Sequence, residues 1–197
     1  RENLAKGLRE ATTDDLILIS DLDEIPNLKN LNFKDIKNNI VIFEQKMFYY
    51  KFNLFYNDFI WQGTKATKNK NFLSPQWLRN IKGKKYSKWR IDTFFSKKKY
   101  SNLLYVKNGG WHFTCIRTPE ELEKKLLNFA HHYEYEESGL KINDLKKLID
   151  EKRVMYDHNV DQKGYKWSGK SILKKIKNDE LPNYINNNLD KYKDWLD

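Results

Sequence analysis

The chain has 197 residues, with 37 Lys and Arg against 27 Asp and Glu, a net charge of +10 and 15% aromatic side chains. That length suits one domain with a sizeable core. The single cysteine, Cys115, excludes an intrachain disulfide, and no apolar run approaches the roughly 18 residues of a membrane span.

Lysines run from Lys6 to Lys193, densest at Lys65–Lys70, Lys82–Arg90 and Lys97–Lys99. Alongside abundant Asn, Ile, Tyr and Phe, this reads as AT-rich coding bias rather than a nucleic-acid footprint. There is no Asn-x-Ser/Thr sequon and no signal-like start, so a cytoplasmic setting is favoured for the region covered. The chain opens on Arg1 in what reads as a helix, which points to a fragment whose true N-terminus is absent.

Leu4 and Leu8, four apart with Ala11 near the same face, predict a short helix over residues 3–11. Leu16-Ile17-Leu18-Ile19 follows as a strand buried on both faces, bounded by charge. A polar loop, a short helix near Phe33–Lys37 and a second strand at Ile40–Phe43 come next. The aromatic stretch EQKMFYYKFNLFYNDFIW predicts one or two strands, turning at Asn57-Asp58. Residues 63–88 read as a long loop with a helical piece at Gln76–Asn80. Strand signals recur at Ile91–Phe95, Leu103–Val106 and Trp111–Ile116, the last two separated by Asn108-Gly109-Gly110. Thr118-Pro119-Glu120-Glu121 supplies an N-cap, a first-turn proline and a capping-box glutamate for a helix to Ala130. Further helices fit Asn143–Glu151, Ser171–Lys177 and Leu181–Leu189.

The chemistry concentrates where the first strand ends. Asp21, Asp23 and Glu24 fall within four positions, where ligands sit in open α/β sheets. On an extended backbone Asp21 and Asp23 point the same way and two oxygens can converge on one hard cation. The competing reading is a solvated acidic turn helped by Pro26 and Asn27.

Arg1-Glu2-Asn3, Gly7-Leu8, DDLILISDLDEIP at Asp14–Pro26, GGWHF at Gly109–Phe113 and PEELEKKL at Pro119–Leu126, in that order, resemble glycosyltransferase family 17. Its best-known members are β-1,4-mannosyl-glycoprotein β-1,4-N-acetylglucosaminyltransferases. The likeness covers most of residues 1–135, with a weaker echo in LPNYI at Leu181–Ile185.

The resemblance implies an α/β fold of the GT-A type, a mixed sheet flanked by helices, in one glycosyltransferase-like domain with a core over 1–135 and a helical C-terminal extension over 136–197. The N-terminal βαβ unit that cradles uridine in such enzymes has no counterpart here, which would leave a metal site without most of its nucleotide pocket. The implied activity is metal-dependent, inverting transfer of N-acetylglucosamine from UDP-GlcNAc to a glycan hydroxyl. Asp23 is the leading ligand for Mn²⁺ or Mg²⁺, with Asp21 as its partner, Glu24 orienting either, and His112 as a later ligand with His131 or His132 behind it.

Gly109 and Gly110 would let backbone approach the donor, Trp111 would stack on a sugar, and Arg1 and Arg79 would meet the diphosphate. Glu120 matches the family's proline-glutamate pair and is the candidate base, with Asp58 and Asp92 as outsiders; it also serves the dipole of its own helix. Two other classes stay open: a basic nucleic-acid-binding or metal-nuclease domain, prompted by the charge and by the Lys-aromatic run Tyr86–Tyr100, and a non-catalytic glycan-binding relic.

Overall fold

A computed structural model describes residues 2–29, 31–87, 89–93, 95–128, 132–160, 164–167 and 169–197. The protein is mixed α/β, and its contacts divide it into two units: Arg1–Gln45 with Trp61–Gly110, and Lys46–Ile60 with Trp111–Asp197. Residues on either side of 135 therefore share the second unit.

The first unit is built on β1 (Leu16–Ile19), β3 (Ile40–Phe43), β6 (Lys65–Lys68) and β7 (Leu103–Val106), in the order β1-β6-β3-β7. A short strand β2 (Glu24–Pro26) follows β1 in sequence, and β4 (Gln45–Tyr49) and β5 (Leu54–Trp61) come before β6. β6 pairs antiparallel with both β1 and β3, whereas β3 and β7 run parallel. β3 is four consecutive aliphatic or aromatic residues, all buried. Its alternation serves two faces: Val41 and Phe43 pack with Ile36 and Ala66, and Ile40 and Ile42 pack with Leu78 and Ile81. Helix α1 (Pro75–Asn80), capped by Ser74 Oγ accepting from Trp77 N at 3.1 Å, brings Leu78 to the second face.

Two sequence expectations are corrected here. β1 is not buried on both faces; only Ile17 is, because β1 is an edge strand and β3 takes the centre. The supposed loop at 63–88 contains the central strand β6. Its sequence, KATK, hides it: Ala66 fills the narrow interior, Thr67 Oγ1 donates to Asn39 O at 2.7 Å, and Lys65 Nζ donates to Arg79 O and Ile81 O at 2.7 and 2.6 Å. Buried polar groups are tolerated there because each is satisfied.

The second unit holds β8 (Gly110–Thr114), β4, β5 and β9 (Lys174–Lys175) in that spatial order, with β8 parallel to β4. Phe48, Phe113, Leu181 and Ile185 form its apolar centre, with Phe52, Phe55 and Trp111 against them. α2 (Pro119–Leu127) starts with the expected Thr118 and Glu121 capping box. It is followed by α3 (His132–Ser138), α4 (Ile142–Asp150) and α5 (Asn183–Asn186).

Four further expectations fail locally. The first helix is a 3₁₀ helix over Glu2–Leu8, and Ile91–Thr93 is a 3₁₀ turn rather than a strand. Asn57-Asp58 lies inside β5; the chain turns at Tyr50–Asn53, where Tyr50 takes φ 63°. That strained conformation is held by burial and by the Tyr50 hydroxyl, which donates to Arg153 O and accepts from Met155 N. Ser171–Lys177 is extended, not helical. Its donors go elsewhere, Leu173 N to Lys152 O at 2.7 Å and Ile176 N to Asn53 O at 3.0 Å.

Candidate functional site

After β1 the chain turns at Leu22–Asp23, and Glu24 N donates back to Asp21 O at 3.1 Å. The cause is the Glu24 side chain. Its Oε2 accepts from Asp21 N at 3.0 Å and Thr64 Oγ1 at 3.1 Å and lies 3.2 Å from Ser20 Oγ, while Oε1 accepts from Trp61 Nε1 at 2.6 Å. Glu24 is buried, so this anion is tolerated only because four donors surround it. A turn replaces the extended backbone on which Asp21 and Asp23 would have faced one way.

Gly63 is needed beside this carboxylate. A Cβ there would lie 1.9 Å from Glu24 Oε1 and 2.1 Å from Trp61 Nε1. Behind Thr64, Gln45 Nε2 donates to Thr64 Oγ1 at 3.1 Å, which extends the network into the core.

Asp21 is gripped by Arg79, from the last turn of α1. Nε and Nη2 donate to its two oxygens at 3.2 and 2.5 Å. This bond, ahead of the nearby charges of Asp21, Glu24 and Asp23, raises the Arg79 pKa. Lys65 approaches from β6, where burial first, and Arg79 second, lower its pKa to about 8 against the opposing pull of Glu24 and Asp21. Asp21, Glu24, Lys65 and Arg79 line one cavity of about 240 Å³ with Ile19, Trp61, Gln62 and Gly63. Two cations facing two carboxylates can exchange partners when an anionic ligand enters, since guanidinium and ammonium both suit phosphate oxygens.

The structure brings Asp21 and Arg79 together and sets Asp23, which is exposed, in the same electrostatic neighbourhood. None of the remaining described candidates lines this cavity. Arg1 and His131 lie outside the described residues. Gly109 and Gly110 are required by the chain's own backbone: a Cβ on Gly109 would meet Val106 O at 2.6 Å, and one on Gly110, at φ +130°, would meet Ile25 O at 2.0 Å.

Trp111, His112 and Glu120 belong to the second unit. Trp111 packs in its apolar centre and donates Nε1 to Glu180 O at 2.8 Å. His112 is buried on β8. Glu120 is exposed at the start of α2, 2.9 Å from Lys146 Nζ, and that hydrogen bond lowers its pKa. His132 opens α3. Asp58 is exposed in β5, and Asp92 is held well below the usual carboxylate range by Arg90 and Lys99. Among the described residues no group of three His, Cys, Asp or Glu side chains stands ready to hold a metal ion, and no helix is long and apolar enough to cross a membrane.

Sequence reasoning missed Lys65, Trp61 and Gly63. It also missed a second cavity of about 360 Å³ in the second unit, lined by Tyr49, Cys115, Tyr135, Tyr156, His158 and Trp167 among others. There Tyr49 Oη lies 2.9 Å from His158 Nε2. No protein-family model, curated protein or solved structure matches the chain.

Proposed function

We propose that the chain carries the catalytic region of a metal-dependent, inverting glycosyltransferase of the GT-A type, which moves N-acetylglucosamine from UDP-GlcNAc to a glycan hydroxyl. The observation that supports this reading is the meeting of Asp21, Glu24, Lys65 and Arg79 around one cavity directly after β1. The likeness of the Asp14–Pro26 and Gly109–Phe113 blocks to glycosyltransferase family 17 supplies the reaction class.

In this proposal Arg79 and Lys65 meet the donor's diphosphate, and Glu24 fixes the turn that presents Asp21 and Asp23. The residues present fit a divalent ion only as a shared site. Both Asp21 oxygens are engaged by Arg79, so Asp21 would hold the ion together with Asp23 only with the Arg79 guanidinium turned to the donor's phosphates. Mn²⁺ or Mg²⁺ held in that way would offset the charge that grows on the departing diphosphate. Glu120, kept ionised by Lys146, is proposed as the base on the strength of the proline-glutamate pair alone.

The test is UDP-GlcNAc binding and hydrolysis with Mn²⁺ and with EDTA, in the wild type, Asp23→Ala and Arg79→Gln. Metal-dependent turnover that both substitutions abolish is expected. Turnover or binding indifferent to EDTA and to Asp23→Ala would sink the reading.

A further inference from the structure

Residues 82–100 carry seven lysines and Arg90 against a single acid, Asp92, so this short stretch holds a net +7 of the chain's +10. Its base is closed: Lys82 N donates to Lys98 O at 2.9 Å, Trp77 Nε1 donates to Lys97 O at 2.8 Å, and Tyr105 Oη donates to Gly83 O at 3.1 Å. Tyr86 is buried under the Arg90 guanidinium and the Lys99 ammonium, which lie 5.4 and 5.9 Å from the ring centroid. The one acid is neutralised within the loop by Arg90 and Lys99, each at 2.8 Å.

Three large apolar side chains stay outside among the lysines. Trp89 is 92% exposed, Phe95 86% and Ile91 73%, beside exposed Lys84, Lys85, Lys97 and Lys98. Large apolar side chains held in water on a closed loop mark an interaction surface. The surrounding cations select an anionic partner.

We propose that this loop seats the protein on an anionic lipid bilayer, with Trp89, Ile91 and Phe95 entering at the headgroup boundary while Lys84, Lys85, Lys97 and Lys98 meet lipid phosphates. Interfacial binding needs this pairing, an apolar wedge and a basic rim, each too weak alone. Trp89 suits the boundary because its indole has an apolar body and one N–H donor. A single-stranded nucleic acid would use aromatic platforms and lysines as well, but Ile91 offers a base no stacking face, whereas hydrocarbon takes all three side chains. The lipid-bound loop needs no crossing helix.

The experiment is co-sedimentation of the protein with vesicles of phosphatidylcholine containing about one third phosphatidylglycerol, and with vesicles of phosphatidylcholine alone. Binding to the anionic vesicles that falls with salt is expected. Lys97→Gln with Lys98→Gln lowers partitioning on the order of 20-fold at low salt, from a factor of about five per lysine. Trp89→Ser with Phe95→Ser lowers it at least as much. These side chains are exposed, and the milder Trp89→Phe adds a direct readout: chain-brominated lipid quenches wild-type tryptophan emission more than that of the variant. Equal binding to both vesicle types, binding indifferent to these substitutions, or a single-stranded oligonucleotide that binds more tightly and strips the protein from vesicles would each overturn the proposal.

Discussion

Arg79 donates from Nε and Nη2 to both carboxylate oxygens of Asp21, so an acid that the sequence marks as a candidate metal ligand is closed by a guanidinium. The two side chains are 37% and 38% exposed. Pairs this open to water typically contribute about 0.2–1 kcal/mol, so this one is cheap to open. Either Asp21→Asn or Arg79→Gln should therefore lower the unfolding free energy by less than about 1 kcal/mol in urea titrations. Arg79→Gln should weaken UDP binding on the order of tenfold in calorimetry, because a bidentate cation is lost. A variant that keeps UDP affinity while losing several kcal/mol of stability would make Arg79 a structural residue only.

Glu24 is the opposite case, a buried anion with every oxygen engaged. Glu24→Gln turns an N–H₂ toward donors already aimed at Oε2, and buried donors without acceptors cost about 1–3 kcal/mol each. The expected loss is about 2–3 kcal/mol in chemical denaturation. Gly63→Ala should act on the same bond, since its methyl would occupy the space between Glu24 Oε1 and Trp61 Nε1. A melting-temperature drop on the order of 5 °C is expected. An unchanged melting temperature for both variants would mean that the Glu24–Trp61 hydrogen bond does not form.

Lys65 makes stability depend on pH in a defined window. Its folded pKa is about 8 and its unfolded value is 10.5. Between those values the unfolded chain binds more protons, so stability rises with pH from about 8 upward. The contribution is on the order of 1–3 kcal/mol. Lys65→Met should remove this rise between pH 8 and 10, measured by denaturant midpoint. Anion affinity should move oppositely and fall as pH climbs through 8, because the ammonium is lost. A Lys65→Met protein with the wild-type pH profile would refute the assignment.

The parts of the fold that were legible are those where one local force dominates. β3 reads from four apolar residues, and α2 from its Thr118 cap and Pro119. β6 was illegible because its stability is not in its side-chain hydrophobicity; Lys65 and Thr67 are satisfied by Arg79, Ile81 and Asn39, partners far away in sequence. The same holds for the site. Three acids after an aliphatic strand pointed first to Asp23, with Asp21 as its partner, yet which acid is buried depends on Thr64 and Trp61, some 40 residues on. The glycines of GGWH were legible as a close approach, but the approaching group is Ile25 O and Val106 O of this chain. The positive-φ turn at Tyr50 carries no glycine signal, since tertiary hydrogen bonds impose it.

His158 gives the acid limb of the stability curve. Burial first, then the neighbouring charge of His112, depress its pKa to about 4 against the attraction of Asp157, and Tyr49 Oη sits 2.9 Å from Nε2. The unfolded value is 6.5, so between pH 4 and 6.5 the unfolded state binds the extra proton and stability increases as pH rises through this window. The full effect is on the order of 2–3 kcal/mol. The imidazole should stay neutral at pH 5.5 in a proton NMR titration, and His158→Gln should flatten the acid limb of the urea midpoint. A resonance that titrates near 6.5 would show that water reaches the ring, and with it that the Tyr49–His158 wall of the second cavity is open.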